Sequence, residues 1–353
     1  MAAYTNIDDP TIFFNTKLYT GNGSTQSITG VGFQPDWVWL KARSSAYSHQ
    51  LFDSVRGATK LLTSEATDAE QTLSGVTSFD SDGFAVGSDA GTNNNTTTFV
   101  SWNWKAGTSF TNDASSTGVG SIDSSGSTSS DAGFSIISYT GTGSLGTIAH
   151  NLGAAPAWLI FKERSEARDW MVYQHKNTSE PASDYLYLNT NAATVDADNF
   201  MNDTAPTSSV FTVKGFSEVN KSSQTYICYA FAEKKGYSKF GSYQGNSSTD
   251  GPFLYMGFKP AFLMVKRTNT TENWYMKDNK RDPFNDMDAS ALYANGSAAE
   301  DTGGAWLTGD ACANGFKIRK NDTSSNGSGS TYVYFAFAES PFVNSSGVPT
   351  NAK

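Results

Sequence analysis

The sequence predicts an all-β protein of three tandem β-sandwich units, jelly-roll-like in size, on three observations. Aromatic residues dominate the apolar complement, with 23 Phe, 16 Tyr and 8 Trp in 353 residues, and such side chains fit a pleated, half-buried surface. The 32 Gly, together with abundant Ser, Thr, Asn and Asp, supply turn chemistry at short intervals. Finally, one set of motifs recurs three times, and self-similarity at a fixed period decides architecture.

The first copy carries Tyr19-Thr-Gly-Asn-Gly23 and then Gly32-Phe-Gln-Pro35-Asp-Trp37-Val-Trp-Leu-Lys41. The second carries Tyr139-Thr-Gly-Thr-Gly143 and then Pro156-Ala-Trp158-Leu-Ile-Phe-Lys162. The third carries Tyr243-Gln-Gly-Asn-Ser247 and then Pro260-Ala-Phe262-Leu-Met-Val-Lys266. Tyrosine to proline is 16, 17 and 17 residues, and proline to lysine is 6 in each. A Gly-Phe step follows at Gly83-Phe84, Gly215-Phe216 and Gly315-Phe316, and an aromatic segment closes each copy at Phe99–Trp104, Tyr226–Phe231 and Tyr332–Phe337.

Each piece has a physical reading. Tyr-x-Gly-x-Gly is a strand ending in a glycine turn, where positive φ carries no steric cost. The proline opens a strand at the position that needs no ladder N–H. The unbroken apolar run behind it implies burial on both faces, with Lys41, Lys162 and Lys266 marking the exit to solvent. The Gly-Phe step starts another strand with its phenylalanine turned to the core. The closing segment alternates large and small residues, the period-2 sign of one buried face. Six to eight strands per copy suffice for a two-sheet sandwich.

The expected boundaries are 1–106 for the first unit with an N-terminal arm, 107–132 for a linker, 133–236 for the second unit and 237–353 for the third. Residues 107–132 are Gly/Ser/Thr-rich and nearly free of large apolar groups, the composition of a flexible linker or surface arm. Units two and three meet at Glu233-Lys-Lys-Gly-Tyr237 with little slack, so they are expected to pack rigidly while unit one sits apart. The first dozen residues read as an extended arm able to pair with a neighbour.

A net charge of −9 and a pI near 4.8 argue against nucleic-acid binding, which needs clustered Lys and Arg. No apolar run reaches the ~18 residues that span a bilayer, and MAAYTNIDDP lacks the pattern of a signal peptide, so folding in the cytoplasm of the producing cell and no membrane insertion are expected. Cys228 and Cys312 are too few for a disulfide framework and lie at no zinc-ligand spacing.

His49, His150 and His175 stand in polar contexts and read as surface or capping residues. No nucleophile elbow, phosphate loop, HExxH helix or dinucleotide fingerprint occurs, so no enzyme, cofactor or catalytic residue is expected. Asp80 and Asp82, two apart before Gly83, form a weak calcium candidate, with an Asp/Gly turn as the plainer reading. Tyr47, Trp170, Trp274 and Trp306 stand among polar residues and are the candidate glycan-stacking or partner contacts.

The block Ile7-Asp-Asp-Pro10, Phe14-Asn-Thr-Lys-Leu-Tyr-Thr-Gly-Asn-Gly23 and Gly32-Phe-x-Pro-Asp-Trp-Val-Trp-Leu-Lys41 resembles virion structural proteins of marine tailed bacteriophages, over nearly the whole chain and in three units. The resemblance implies a structural protein of the virion, assembled in the host cytoplasm and exposed on the particle: a tail fibre or tail-associated adhesin that binds the host surface. A capsid decoration protein is the alternative, and a tail-borne glycan depolymerase a lesser one. Other virion proteins, a host-surface glycan and further copies of the chain are the expected partners. Three pseudo-equivalent units in one chain also resemble a fused trimer.

Overall fold

The computed structural model describes residues 5–283, 285, 287, 290–303 and 307–350. The fold is all-β. No helix among the described residues exceeds four residues, so none is long enough to cross a membrane.

Three main sheets share one strand order. An opening strand (Phe14–Thr20, Phe134–Thr140, Ser238–Gln244) pairs with the closing strand (Thr98–Trp104, Thr225–Phe231, Thr331–Pro341). The closing strand pairs with the proline-led strand (Trp37–Ala42, Trp158–Glu163, Phe258–Arg267), and that with a return strand (Gln50–Asp53, Met171–Gln174, Trp274–Asp278). All these pairings are antiparallel. A smaller sheet covers one face of each main sheet, built on Gln26–Thr29 with Gly83–Val86, Gly146–Ala149 with Val210–Val213, and Phe253–Tyr255 with Gly315–Ile318.

Alternation along the proline-led strands assigns the two faces. Val38, Leu40, Leu159, Phe161, Leu263 and Val265 point to their own small sheet. Trp37, Trp39, Trp158, Ile160, Phe262 and Met264 point the other way, into one core common to all three sheets. Both faces are therefore dry, as an unbroken apolar run requires. The closing strands are buried on both faces too: Trp102, Tyr229 and Phe335 reach the common core while Ser101, Cys228 and Tyr334 face the small sheets.

Four expectations need correction. Unit one does not sit apart, because its tryptophans fill the common core. Residues 107–132 are not a loose linker: Thr108–Asn112 and Ser124–Ser129 form a hairpin that adds two strands to the edge of the second sheet. Thr and Ser satisfy a ladder as well as a solvated chain does, and Ser124, Ser127 and Thr128 are buried there. The N-terminal segment does not extend away either. Pro10–Ile12 make a 3-10 turn capped by Asp9, Ile7 is buried, and Phe14 stacks on Phe337 of the third unit at 5.1 Å. Lastly, Gly215-Phe216 does not match the other Gly-Phe steps. Opposite Ile28, Ile148 and Leu254 stand Phe84, Phe211 and Phe316, so the second unit uses Phe211, and Phe216 follows its strand.

Candidate interaction site

Where the ionisable and aromatic side chains go decides what surface is left for function. At the first turn of each unit a short helical turn presents a fully buried asparagine: Asn93, Asn220 and Asn326. Each accepts a backbone N–H from the Tyr-x-Gly turn, from Asn22 at 2.9 Å, Thr142 at 2.8 Å and Asn246 at 2.8 Å. The opening tyrosine donates to the same turn, Tyr19 to Thr92 O, Tyr139 to Val219 O and Tyr243 to Ser325 O. The chain passes so close that a Cβ on Gly141 would lie 2.3 Å from Lys221 O.

The junctions between units repeat in one direction. Trp37 stacks on Tyr229 at 4.3 Å, Trp158 meets Phe335 at 5.1 Å and Phe262 meets Trp102 at 5.5 Å, the same two positions each time, linking first to second, second to third and third back to first. The circuit is closed.

Polar contacts follow the same circuit. Lys41, Lys162 and Lys266, expected to mark an exit to solvent, have no exposed surface. Their amines donate to carbonyls of the preceding unit, Ser297 O at 3.1 Å, Thr67 O at 3.0 Å and Asn191 O at 3.3 Å. Burial pulls their pKa values down, to about 8 for Lys41 and Lys162 and about 7 for Lys266. Eight residues beyond each lysine stand His49, Trp170 and Trp274, whose ring nitrogens meet Tyr293 O at 2.9 Å, Thr63 O at 2.8 Å and Tyr187 O at 2.9 Å.

Trp170 and Trp274 are thus buried between units and cannot stack on a sugar. Carbonyls of the preceding unit, Thr63 O and Tyr187 O, satisfy the two indoles. Tyr47 is half-buried, and Trp306 lies outside the described residues. His49 and His150 are fully buried; His150 does cap, accepting Leu152 N–H at 3.2 Å, but inside the second unit. His175 is partly exposed and bonds Phe240 O at 2.7 Å.

Among the described residues, two junctions also hold a buried charge cluster at one shared place. Asp53, Arg56, Glu70 and Arg164 join the first and second units, with Arg164 Nε 2.9 Å from Glu70. Asp278, Arg281, Glu300 and Arg43 join the third and first, with Arg43 Nε 2.8 Å and Arg281 Nη1 2.9 Å from Glu300. The second-to-third junction carries Gln174, Asn177, Thr194 and Thr268 at the same places, held by Thr194 Oγ1 donating to Asn177 at 2.9 Å and Thr194 N donating to Thr268 O at 2.8 Å.

Asp82 spends both carboxylate oxygens on the N–H groups of Gly30 and Gly32, at 2.9 and 2.8 Å. It braces the turn before the proline-led strand, and those bonds hold its carboxyl below the usual range. Asp80 is exposed at the strand end beside it. No group of three or more His, Cys, Asp or Glu among the described residues is placed to hold a metal.

What remains outside is aromatic surface that sequence reasoning missed. Tyr255 and Phe253 are 62 % and 42 % exposed on one edge strand of the third unit. Tyr255 also walls a cleft of about 430 Å³ with Phe342, Val343, Glu233, Ser238 and Lys239. A second cleft, about 620 Å³, lies between the N-terminal segment and Asp131, Lys234 and Lys235. Residues 9–341 match one family model, described as Domain of unknown function (DUF7483). No curated protein matches the chain.

Proposed function

We propose that this chain, which belongs to the DUF7483 family over nearly its whole length, is a structural protein of a phage virion, exposed on the particle as a tail fibre or tail-associated adhesin that contacts the host surface. One observation carries most of the weight: the buried lysines and both Asp–Arg–Glu–Arg clusters are committed to bonds between units. A scaffold so locked resists local opening and proteolysis, which suits an appendage working outside the cell. The resemblance of its repeated motifs to marine phage virion proteins supports the same reading.

The near-threefold circuit favours a second use, a decoration protein seated at a three-fold position of the capsid, where three like faces meet three like sites. Immunogold labelling of purified virions with an antibody to the full chain separates these readings. Gold on the tail supports the adhesin and gold on the capsid the decoration protein. Unlabelled particles, with the chain found only in the infected cell, refute both.

A further inference from the structure

From the surface of the third unit we infer that Tyr255 and Phe253 form a glycan-binding platform, the sugar ring lying on the two aromatic faces with its hydroxyls bonded by the polar groups on either side. The inference rests on the adhesin reading and names its site and ligand class.

The two side chains alternate with buried Leu254, so they project from the same face of the edge strand, about 7 Å apart at the strand's rise per residue. Opposite Tyr255 stands Gly315, and a Cβ there would come within 3.0 Å of the Phe253 ring. The nearer atom is Leu254 O, at 2.1 Å, so the close backbone approach requires the glycine there, as Ile28 O does at Gly83 of the first unit. The corresponding positions are Ser27 and Thr29 in the first unit and Thr147 and Ala149 in the second, set by the shared pairings of Ile28, Ile148 and Leu254. An aromatic pair on this face is therefore peculiar to the third unit, and the packing that all three units share does not require it.

Polar groups flank the pair on both sides. Beyond Phe253, Lys317 pairs with Asp250 at 2.8 Å and Arg319 with Asp310 at 2.5 Å, and the Asp250 side chain is 82 % exposed. In the cleft beyond Tyr255, Lys239 pairs with Glu233 at 2.7 Å beside Ser238. Three of the flanking cations are paired with carboxylates and Lys235 also lines the cleft, so the net charge is small, which matches neutral hydroxyls better than an anionic or cationic partner. Two rings offer at most about 300–500 Å², well short of the roughly 800 Å² a side of a stable protein interface. An aromatic face against the C–H face of a sugar, rimmed by hydrogen-bonding groups, is the arrangement left.

The test is binding of the full-length protein to a printed array of bacterial surface polysaccharides and neutral oligosaccharides, with hits followed by saturation-transfer NMR. Wild type should bind at least one member. Tyr255→Ala and Phe253→Ala should each weaken that binding tenfold or more with an unchanged far-UV spectrum, while Leu145→Ala, at an exposed position of the second unit, should not. No binding to the array, or equal binding by Tyr255→Ala, overturns the site. So does sedimentation showing that wild type self-associates and Tyr255→Ala does not, which would make the platform a contact between copies. Virions that carry the chain on their tails while the array stays blank would sink this inference alone and leave the adhesin reading standing.

Discussion

Tyr229 of the second unit donates its hydroxyl to Asp53 of the first across 2.7 Å, and neither residue has exposed surface. Arg56 binds the same carboxylate and also reaches Tyr229 Oη at 3.3 Å. At the third-to-first junction the matching pair is Trp102 Nε1 donating to Asp278 at 3.0 Å. A hydrogen bond to a buried charge contributes about 1.5–3 kcal/mol. Tyr229→Phe keeps the stacking on Trp37 and removes only the donor, so it should lower unfolding free energy by about that amount in urea titration. An unchanged midpoint would mean that Arg56 alone satisfies Asp53.

The circuit makes the units interdependent. A chain beginning at residue 107 would lose Trp37, Trp39, Trp102 and Trp104 from the common core and leave Phe134, Tyr229 and Phe262 facing water. That fragment should be molten or aggregated, with far-UV strand signal retained and near-UV aromatic signal lost. A monodisperse fragment with sharp near-UV bands would show that the second and third units form a self-sufficient pair.

Much of the fold was legible in the text of the sequence. The unbroken run behind Pro35, Pro156 and Pro260 foretold strands buried on both faces, and its constant phasing located three of them. The polar half of the site was less legible, because charge and amide side chains read as solvent-facing until packing says otherwise. Lys41, Lys162 and Lys266 read as surface residues by charge, although their fixed register is itself the clue to a shared task. Trp170 and Trp274 read as exposed rings from their polar neighbours, yet each stands eight residues after its lysine, as buried His49 does. Asn93, Asn220 and Asn326 passed unnoticed, though each precedes its closing aromatic, Phe99, Tyr226 or Tyr332, by six residues. The Ser/Thr/Gly hairpin before the second unit could not be told from a linker by composition, since only the available edge of the second sheet makes it a pair of strands.

Asn220 gives the sharpest test of the buried turns. Its Oδ1 accepts from Thr142 N, and its Nδ2 donates to Ser144 O at 2.5 Å. Asn220→Ala leaves the Thr142 N–H unpaired, at about 1–3 kcal/mol, and leaves Ser144 O only the Thr142 hydroxyl, at 3.2 Å. Asn220→Asp restores the acceptor but not the donor and should fall between. Thermal melts of the two variants check the order, and equal melting temperatures would show that the turn holds without this side chain.

Glu300 ties Arg43 to Arg281 where no peptide link joins the units. Its replacement by threonine copies Thr194 at the second-to-third junction but removes the carboxylate that Arg43 pairs with and leaves fully buried Arg281 with Asp278 alone. Removing one partner of a buried ion pair costs about 3–5 kcal/mol, reduced here because the Arg43 side chain is 23 % exposed. Hydrogen exchange should rise first in the segments around Arg43 and Asp278. Exchange that rises evenly over the chain would refute a local clasp.

The three junction lysines also set a pH dependence. Their folded pKa values lie below the ordinary 10.5, Lys266 lowest at about 7. Between the folded and ordinary values the unfolded chain holds protons that the folded chain does not, so stability rises with pH. The lysine contribution is full above the ordinary value and is lost as pH falls through about 8 for Lys41 and Lys162 and about 7 for Lys266. Burial raises the pKa of Tyr19, Tyr139 and Tyr243, and that opposes the gain once pH exceeds the ordinary tyrosine value near 10. Around Lys266 only Glu272 favours the charged form, while Arg267 opposes it. Urea midpoints should therefore climb from pH 7 to pH 10, and Lys266→Met should flatten that climb and gain most, relative to wild type, at pH 6 to 7. A variant with the wild-type slope would show that the Lys266 amine stays charged inside the junction, held by Asn191 O and Arg267 O.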